Sequence, residues 1–198
     1  MADPEQRLPG PERVPLNALT SRVWQELTRA PHDRHHDWRT PVLATQGLAG
    51  EPQARTVVLR QADAASWTLT VFTDARSPKC AELSAQPAAQ LLFWSARLGW
   101  QLRLPVRAVV LTSGAAVAQA WARMRQSRAA ADYLSAEAPG RPMATAETAS
   151  SLSPTLTDAH HLAVLQFQAE DIDWLELHRE GHRRARMNRT GDVWPLVP

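Results

Sequence analysis

The chain predicts a mainly β fold with α additions, an antiparallel barrel of six to eight strands with flanking helices. Three observations carry this reading. Short β-branched and aromatic runs recur at hairpin spacing from residue 38 to the C-terminus. Helical patterns are confined to three inserts near 16–29, 78–85 and 115–134. No Gly-rich loop of the phosphate-loop or dinucleotide kind is present. At 198 residues the chain reads as one domain over 16–198, preceded by a mobile tail at 1–15 that holds four prolines.

In chain order, Leu16, Leu19, Val23 and Leu27 share one helical face, and Pro31 ends that helix. Val42-Leu43-Ala44-Thr45 is a short strand, and Gly47 to Glu51 is a turn. Thr56-Val57-Val58-Leu59 reads as a strand buried on both faces, and Trp67 to Phe72 as the next strand. A short helix over 78–85 follows, then a strand at Gln90–Trp94. Trp100 to Thr112 predicts a long strand in which Pro105 requires an edge or a bulge. Ala115 to Arg125 is Ala-rich helix, continuing towards Leu134, and 138–158 is a long loop rich in Ala, Pro, Ser and Thr. Leu162–Phe167 and Ile172–Leu177 suggest two strands around a tight turn, with a third at Arg183–Arg189 and Trp194 close behind.

Net charge is only +2, which argues against a nucleic-acid partner over the whole surface, although five arginines fall between His178 and Arg189. A local anion site suits that cluster better than a broad basic face. No apolar run reaches membrane-span length, and the first residues carry no apolar signal segment. The single cysteine, Cys80, suits a reducing compartment, so a cytoplasmic location is expected.

Lys79 is the only lysine among 22 lysines and arginines. Ser77 suits an N-cap and Pro78 the first helical position, so Lys79 falls in a helix's first turn. An ammonium there opposes the helix dipole, and a bound phosphate resolves the conflict by accepting from both the ammonium and the free N–H groups. A solvated surface lysine is the plainer alternative. Arg55 and Arg60 bracket one apolar stretch and, five residues apart on a regular strand, point to opposite faces. They serve either a phosphate site or a pair of strand ends. Gln101, able to donate and accept, suits a heteroaromatic edge or a strand edge. His32, Asp33, His35, His36 and Asp37 match no metal template and read as a solvated loop. No Gly-x-Ser-x-Gly elbow is present.

Taken in order, several segments resemble the pyridoxamine 5'-phosphate oxidase-like, FMN-binding split-barrel family, and within it the Alr4036-type branch. They are Arg55–Arg60, Phe72-Thr73-Asp74 with Arg76-Ser77-Pro78-Lys79, Phe93-Trp94, Trp100–Arg103, Asp173–Leu177, and Arg183–Arg186 with Trp194. The resemblance implies a split barrel and FMN contacts from Arg55, Thr56, Val57, Val58, Leu59, Arg60, Phe72, Thr73, Ser77 and Lys79, with Lys79 and an arginine on the phosphate. It further implies Gln101 at the flavin ring, with Trp174 and Arg184 or Arg186 completing the site from the second subunit of a homodimer. Arg60, Arg125, Arg128 and Arg183 are the implied substrate contacts.

The departures concern the substrate. Arg60 stands where the vitamin B6 oxidases carry a lysine, Arg183-Arg184-Ala185 lacks their histidine, and Glu137-Ala138 replaces their Gln-Ser pair. The resemblance therefore implies an FMN-dependent oxidoreductase with an open choice of small-molecule substrate or reductant. A non-enzymatic binder of flavin or another planar cofactor on the same fold is the alternative.

Overall fold

The computed structural model describes residues 13–141 and 160–198, so the expected tail is seen only from residue 13 and the expected 138–158 loop only to residue 141. The rest of both lies outside the described residues. Helix α1 (Leu16–Arg29) buries Leu19, Val23, Trp24 and Leu27, the apolar stripe set by their spacing. Strands β1 (Val42–Gln46) and β2 (Pro52–Thr56) form a hairpin across the Gly47–Glu51 turn. Then come β3 (Leu59–Asp63), β4 (Thr68–Asp74), helix α2 (Pro78–Ala85), β5 (Ala88–Ser95) and β6 (Trp100–Leu111). Helix α3 (Ala115–Met124) is followed by a 3-10 turn at Arg128–Tyr133 rather than more α-helix. Strands β7 (Leu162–Ala169), β8 (Asp171–Glu176), β9 (Arg183–Asn188) and β10 (Val193–Leu196) complete the described chain.

Among the described residues ten strands stand where six to eight were expected. One reason is local: the Thr56–Leu59 run is not a doubly buried strand. β2 ends at Thr56 and β3 begins at Leu59, while the Val57 N–H turns to the Pro41 carbonyl at 2.9 Å. Arg55 and Arg60 therefore belong to two different strands. A second reason is the short, largely exposed β10, whose Trp194 is paired with Arg186.

The sheet is antiparallel and open. Its main path runs β10-β9-β8-β6-β5-β1-β2, and a second arm leaves β6 through β7 to β4 and β3. β6 is the spine of both arms. β5 runs along one of its edges, from Ser95 opposite Trp100 to Ala88 opposite Arg107. Along the other edge lie β8, with Arg103 opposite Asp173, and β7, with Val106 opposite Ala169.

β7 and β8 are therefore not a hairpin, as their sequence suggested, and they do not pair with each other. They form one antiparallel run along β6 with a single extra residue between Ala169 and Asp173, a bulge around Glu170. Pro105 sits opposite this break, its carbonyl accepting from the Glu170 N–H at 3.2 Å. A residue without an N–H is tolerated there because the ladder on that edge is interrupted.

The core fills the space inside the bent sheet. Trp38, Phe93, Trp100 and Trp174 meet there, with Trp100 and Trp174 edge-on at 5.4 Å between ring centroids. A satellite core of Val117, Trp121, Met124, Tyr133 and Val164 covers the outer side of β4 and β7. The end of the supposed tail is also tied down: Arg13 donates to the Gly181 carbonyl at 2.9 Å and Arg183 to the Val14 carbonyl at 3.0 Å.

Candidate functional site

The β1–β2 hairpin and α2 enclose a cleft of roughly 600 Å³, within the range of about 300–1,000 Å³ usual for small-molecule sites. Leu48, Gln53, Arg55, Pro78, Lys79 and Glu82 are among its lining residues. Strand alternation brings Arg55 there. It is opposite Leu43 in the β1–β2 ladder, so it points with Leu43 and Thr45 towards the side on which α2 packs. Helix periodicity brings Lys79 and Glu82, three residues apart, to the same wall.

Lys79 is partly buried, and its Nζ donates to Thr73 Oγ1 at 3.0 Å. Among the described residues it forms no ion pair, whereas Arg55 is paired with Glu82 at 2.8 Å. Burial holds the Lys79 ammonium below its ordinary pKa, and the neighbouring Arg55 guanidinium adds to that effect. A cation that is partly desolvated and lacks a counter-ion is suited to an anionic ligand.

Ser77 occupies the N-cap position of α2 but does not cap it. Its Oγ donates to the Asp74 carbonyl at 2.7 Å and lies 3.2 Å from Thr73 Oγ1. The ammonium and two hydroxyls thus form a hydrogen-bonded chain ending on the Asp74 carbonyl, beside the first turn of α2. In the first turn of α2, Pro78 has no N–H and the Cys80 N–H donates to the Ser77 carbonyl at 2.9 Å, which leaves the Lys79 N–H for another acceptor. These residues fit the phosphate end of FMN: an ammonium without a counter-ion and the start of α2 line one cleft, with the Thr73 hydroxyl behind the ammonium.

Arg76 shapes the far side of this turn. It pairs with Asp74 at 2.7 Å and donates to the Ser135, Ala136 and Glu137 carbonyls at 2.9–3.2 Å. Burial raises the Asp74 pKa, but the hydrogen bonds from Arg76 outweigh it and hold the carboxyl below its ordinary value. The segment after the 3-10 turn is thereby fastened to the start of α2.

Other expected contacts fall elsewhere. Arg60 lies over the Phe72 ring at 5.9 Å, on the side of the sheet covered by the satellite core, where it also neighbours the Tyr133 phenol. Thr56 is exposed and does not line the cleft, Val57 and Leu59 are buried in the main core, and Val58 is half-buried in the break between β2 and β3. Arg125 and Arg128 are exposed just after α3, apart from the cleft lining.

Two further expected contacts are engaged within this chain. Trp174 was expected at the cofactor but is fully buried, packed against Trp100, so its ring offers no ligand surface. Arg183 was expected at a substrate but is spent on structure: it pairs with Glu176 at 2.7 Å, lies 5.3 Å from the Trp174 ring centroid and holds Val14. The His32–Asp37 segment is not simply solvated either. His36 is buried, accepts at Nδ1 from the Trp38 N–H and therefore donates from Nε2 to Glu26 at 2.8 Å.

Gln101, Arg184 and Arg186 share a second surface, the outer face of the β10-β9-β8-β6-β5 sheet. Asp173 accepts from Arg103 and, at 2.6 Å, from Arg184, while Asp171 pairs with Arg186 at 2.6 Å. Gln101 lies between Trp94 and Leu175 in the ladders. Trp94, Trp194 and Leu196 are each at least 40% exposed on this face. Within one chain these residues do not line the Lys79 cleft.

Sequence reasoning missed Thr45 and the partnering of Glu82. Glu82 was readable as a helix-face neighbour of Lys79, but its bond to Thr45 spans 37 residues and depends on the tertiary fold.

An open antiparallel sheet bent about one spine, with a cleft beside a helix start, is a split-barrel architecture. Residues 21–112 match the family model of the pyridoxamine 5'-phosphate oxidase, FMN-binding domain. The family's cofactor is FMN.

A pyridoxine/pyridoxamine 5'-phosphate oxidase from Thermosynechococcus vestitus is 41% identical over 83 residues, 42% of this chain and 37% of its own length. One from Anaeromyxobacter dehalogenans is 33% identical over 111 residues, 56% of this chain and 55% of its own. The chain thus spans about half or less of the length of these curated relatives. Over the whole fold it is similar to a pyridoxamine 5'-phosphate oxidase-related, FMN-binding protein from Nostoc punctiforme. The TM-score is 0.67 at 23% identity, covering 91% of this chain and 95% of that one. No helix among the described residues is long and apolar enough to cross a membrane.

Proposed function

We propose that this chain is an FMN-binding flavoprotein acting as an FMN-dependent oxidoreductase similar to pyridoxamine 5'-phosphate oxidase, in a homodimer with the cofactor at the subunit interface. The observation that carries the reading is Lys79, a partly buried cation without an ion-pair partner among the described residues, in a cleft with Arg55 and beside the Thr73 and Ser77 hydroxyls. Bound FMN supplies the two-electron redox chemistry. The chain supplies the hold: Lys79 and Arg55 take the phosphate, and Thr73 orients the ammonium. Gln101 and an arginine of the outer face provide donors to the ring edge, and positive charge there favours an anionic reduced ring. A second copy laid on the exposed Trp94, Trp194 and Leu196 accounts for that apolar surface.

The test is direct. Purified protein carries flavin absorbance, or takes up FMN with a rise in melting temperature. Under anaerobic conditions the bound FMN bleaches with pyridoxamine phosphate, NADH or NADPH. Absence of any flavin uptake removes the reading. Uptake without bleaching by any of the three leaves a flavin-binding protein and removes the proposed oxidoreductase activity on these donors.

A further inference from the structure

The cleft holds a feature that phosphate binding alone does not call for, a buried carboxylate beside its arginine. Glu82 is 6% exposed and Thr45 is 7% exposed. Glu82 Oε2 accepts from Thr45 Oγ1 at 2.6 Å and from Arg55 Nη2 at 2.8 Å, and Arg55 Nη1 donates to the same Thr45 hydroxyl. Three side chains from β1, β2 and α2 therefore close a triangle. We infer that Glu82 and Thr45 are positioning residues that brace the Arg55 guanidinium for the phosphate of the cofactor.

The argument is geometric and electrostatic. A guanidinium has five N–H donors in a rigid fork. The brace uses one from each terminal nitrogen, leaving Nε–H and one hydrogen on each terminal nitrogen for a ligand. Arg55 lines the cleft with Lys79, so those remaining donors serve the same space as the ammonium. A carboxylate so near a phosphate weakens attraction through its charge, and its presence needs another reason. Two effects account for it. It fixes a long side chain that otherwise loses rotamer freedom on binding a ligand. It also offsets the repulsion between Arg55 and Lys79 in the free cleft, which adds to burial in lowering the Lys79 pKa.

Glu51, the other carboxylate of the cleft, has no such role, because its side chain accepts from Gln53 at 3.0 Å within the hairpin.

This inference rests on the flavin-phosphate reading and is tested so that the two can fail separately. FMN and riboflavin affinities are measured by fluorescence quenching at fixed ionic strength, with melting curves for each variant. Glu82→Ala and Thr45→Val each weaken FMN about tenfold and leave riboflavin unchanged, the usual scale for losing a charge-assisted orientation. Glu82→Gln keeps an acceptor for the brace without its charge, and binds FMN at least as tightly as the wild type. In an Arg55→Ala background, Glu82→Ala adds no further loss, since it acts through Arg55.

Wild-type protein that binds FMN and riboflavin equally overturns the phosphate reading, and this inference with it. Wild-type protein that prefers FMN, with Glu82→Ala binding it as tightly or more tightly, overturns the brace alone. If Glu82→Ala does not fold, near-isosteric Thr45→Val decides: unchanged FMN affinity overturns the brace, and weakened FMN with unchanged riboflavin affinity supports it.

Discussion

The Lys79 ammonium donates to Thr73 Oγ1 at 3.0 Å across the junction between β4 and α2, so the strand end and the helix start present one donor group. Lys79→Ala removes a charge-assisted contact to phosphate worth about 2 kcal/mol. FMN should weaken by ten- to a hundredfold while riboflavin changes little, read from parallel titrations. Equal losses for both ligands contradict the phosphate role.

The same ammonium gives a pH signature. In the free protein its pKa is lowered, so the unfolded chain holds the proton more tightly. Its contribution to stability therefore rises with pH between the lowered value and the ordinary 10.5. Phosphate favours the charged form, so FMN affinity falls as pH climbs through the Lys79 titration. Lys79→Ala abolishes that slope in calorimetric titrations.

Acid stability depends on Glu26. Burial raises its pKa, but His36, Arg22 and Arg97 outweigh burial and hold the carboxyl below 4.5. Its contribution is complete above the unfolded value and disappears as pH falls through the lower folded one. Glu26→Ala should cost about 2 kcal/mol near neutrality, through the lost acceptor of buried His36. It should also flatten the acid limb of stability against pH in urea melts.

Much of this arrangement was legible in the sequence, and the gaps share a cause. The helix at Leu16–Arg29 and the one at Pro78–Ala85 were readable because periodicity and caps are local signals. Lys79 stood out because of its place in a first turn. Trp174 misled because a tryptophan in a motif says nothing about which sheet face it takes, and here it faces Trp100. Arg183 and Arg186 are three residues apart on one strand and so point to opposite faces. One serves Glu176 and the other Asp171, a difference visible only once the register of β9 is known. The Thr56–Leu59 run is apolar enough for a strand, but its break is set by the distant Pro41 carbonyl.

Gly99 is a place where only glycine fits. Its φ is +65°, and a Cβ there would come within 2.8 Å of the Leu177 carbonyl oxygen. That carbonyl is backbone, and the Leu177 N–H donates to the Gly99 carbonyl at 2.8 Å, so neither side yields easily. Gly99→Ala should cost about 2 kcal/mol or more, measured by chemical denaturation.

The outer sheet face predicts assembly. Trp94 is 46% exposed beside Gln101 in the ladder. Trp94→Glu should shift the protein from dimer to monomer in sedimentation and weaken FMN in parallel. A monomeric wild type with full FMN affinity removes the interface from the site.

The bulge at Glu170 has a consequence for how this chain can change. In β7 the core receives Ala163, Leu165, Phe167 and Ala169, all odd-numbered; in β8 it receives Ile172, Trp174 and Glu176, all even. Glu170 is the one-residue offset that lets both halves keep their apolar side inward against β6. The segment thus behaves like text in a two-letter reading frame. Losing one residue there would put Asp171 and Asp173 inside and Trp174 outside, exchanging the arginine-bearing face with the core. Insertions and deletions in this stretch keep both faces in place only in pairs, so its length is constrained as tightly as its apolar pattern.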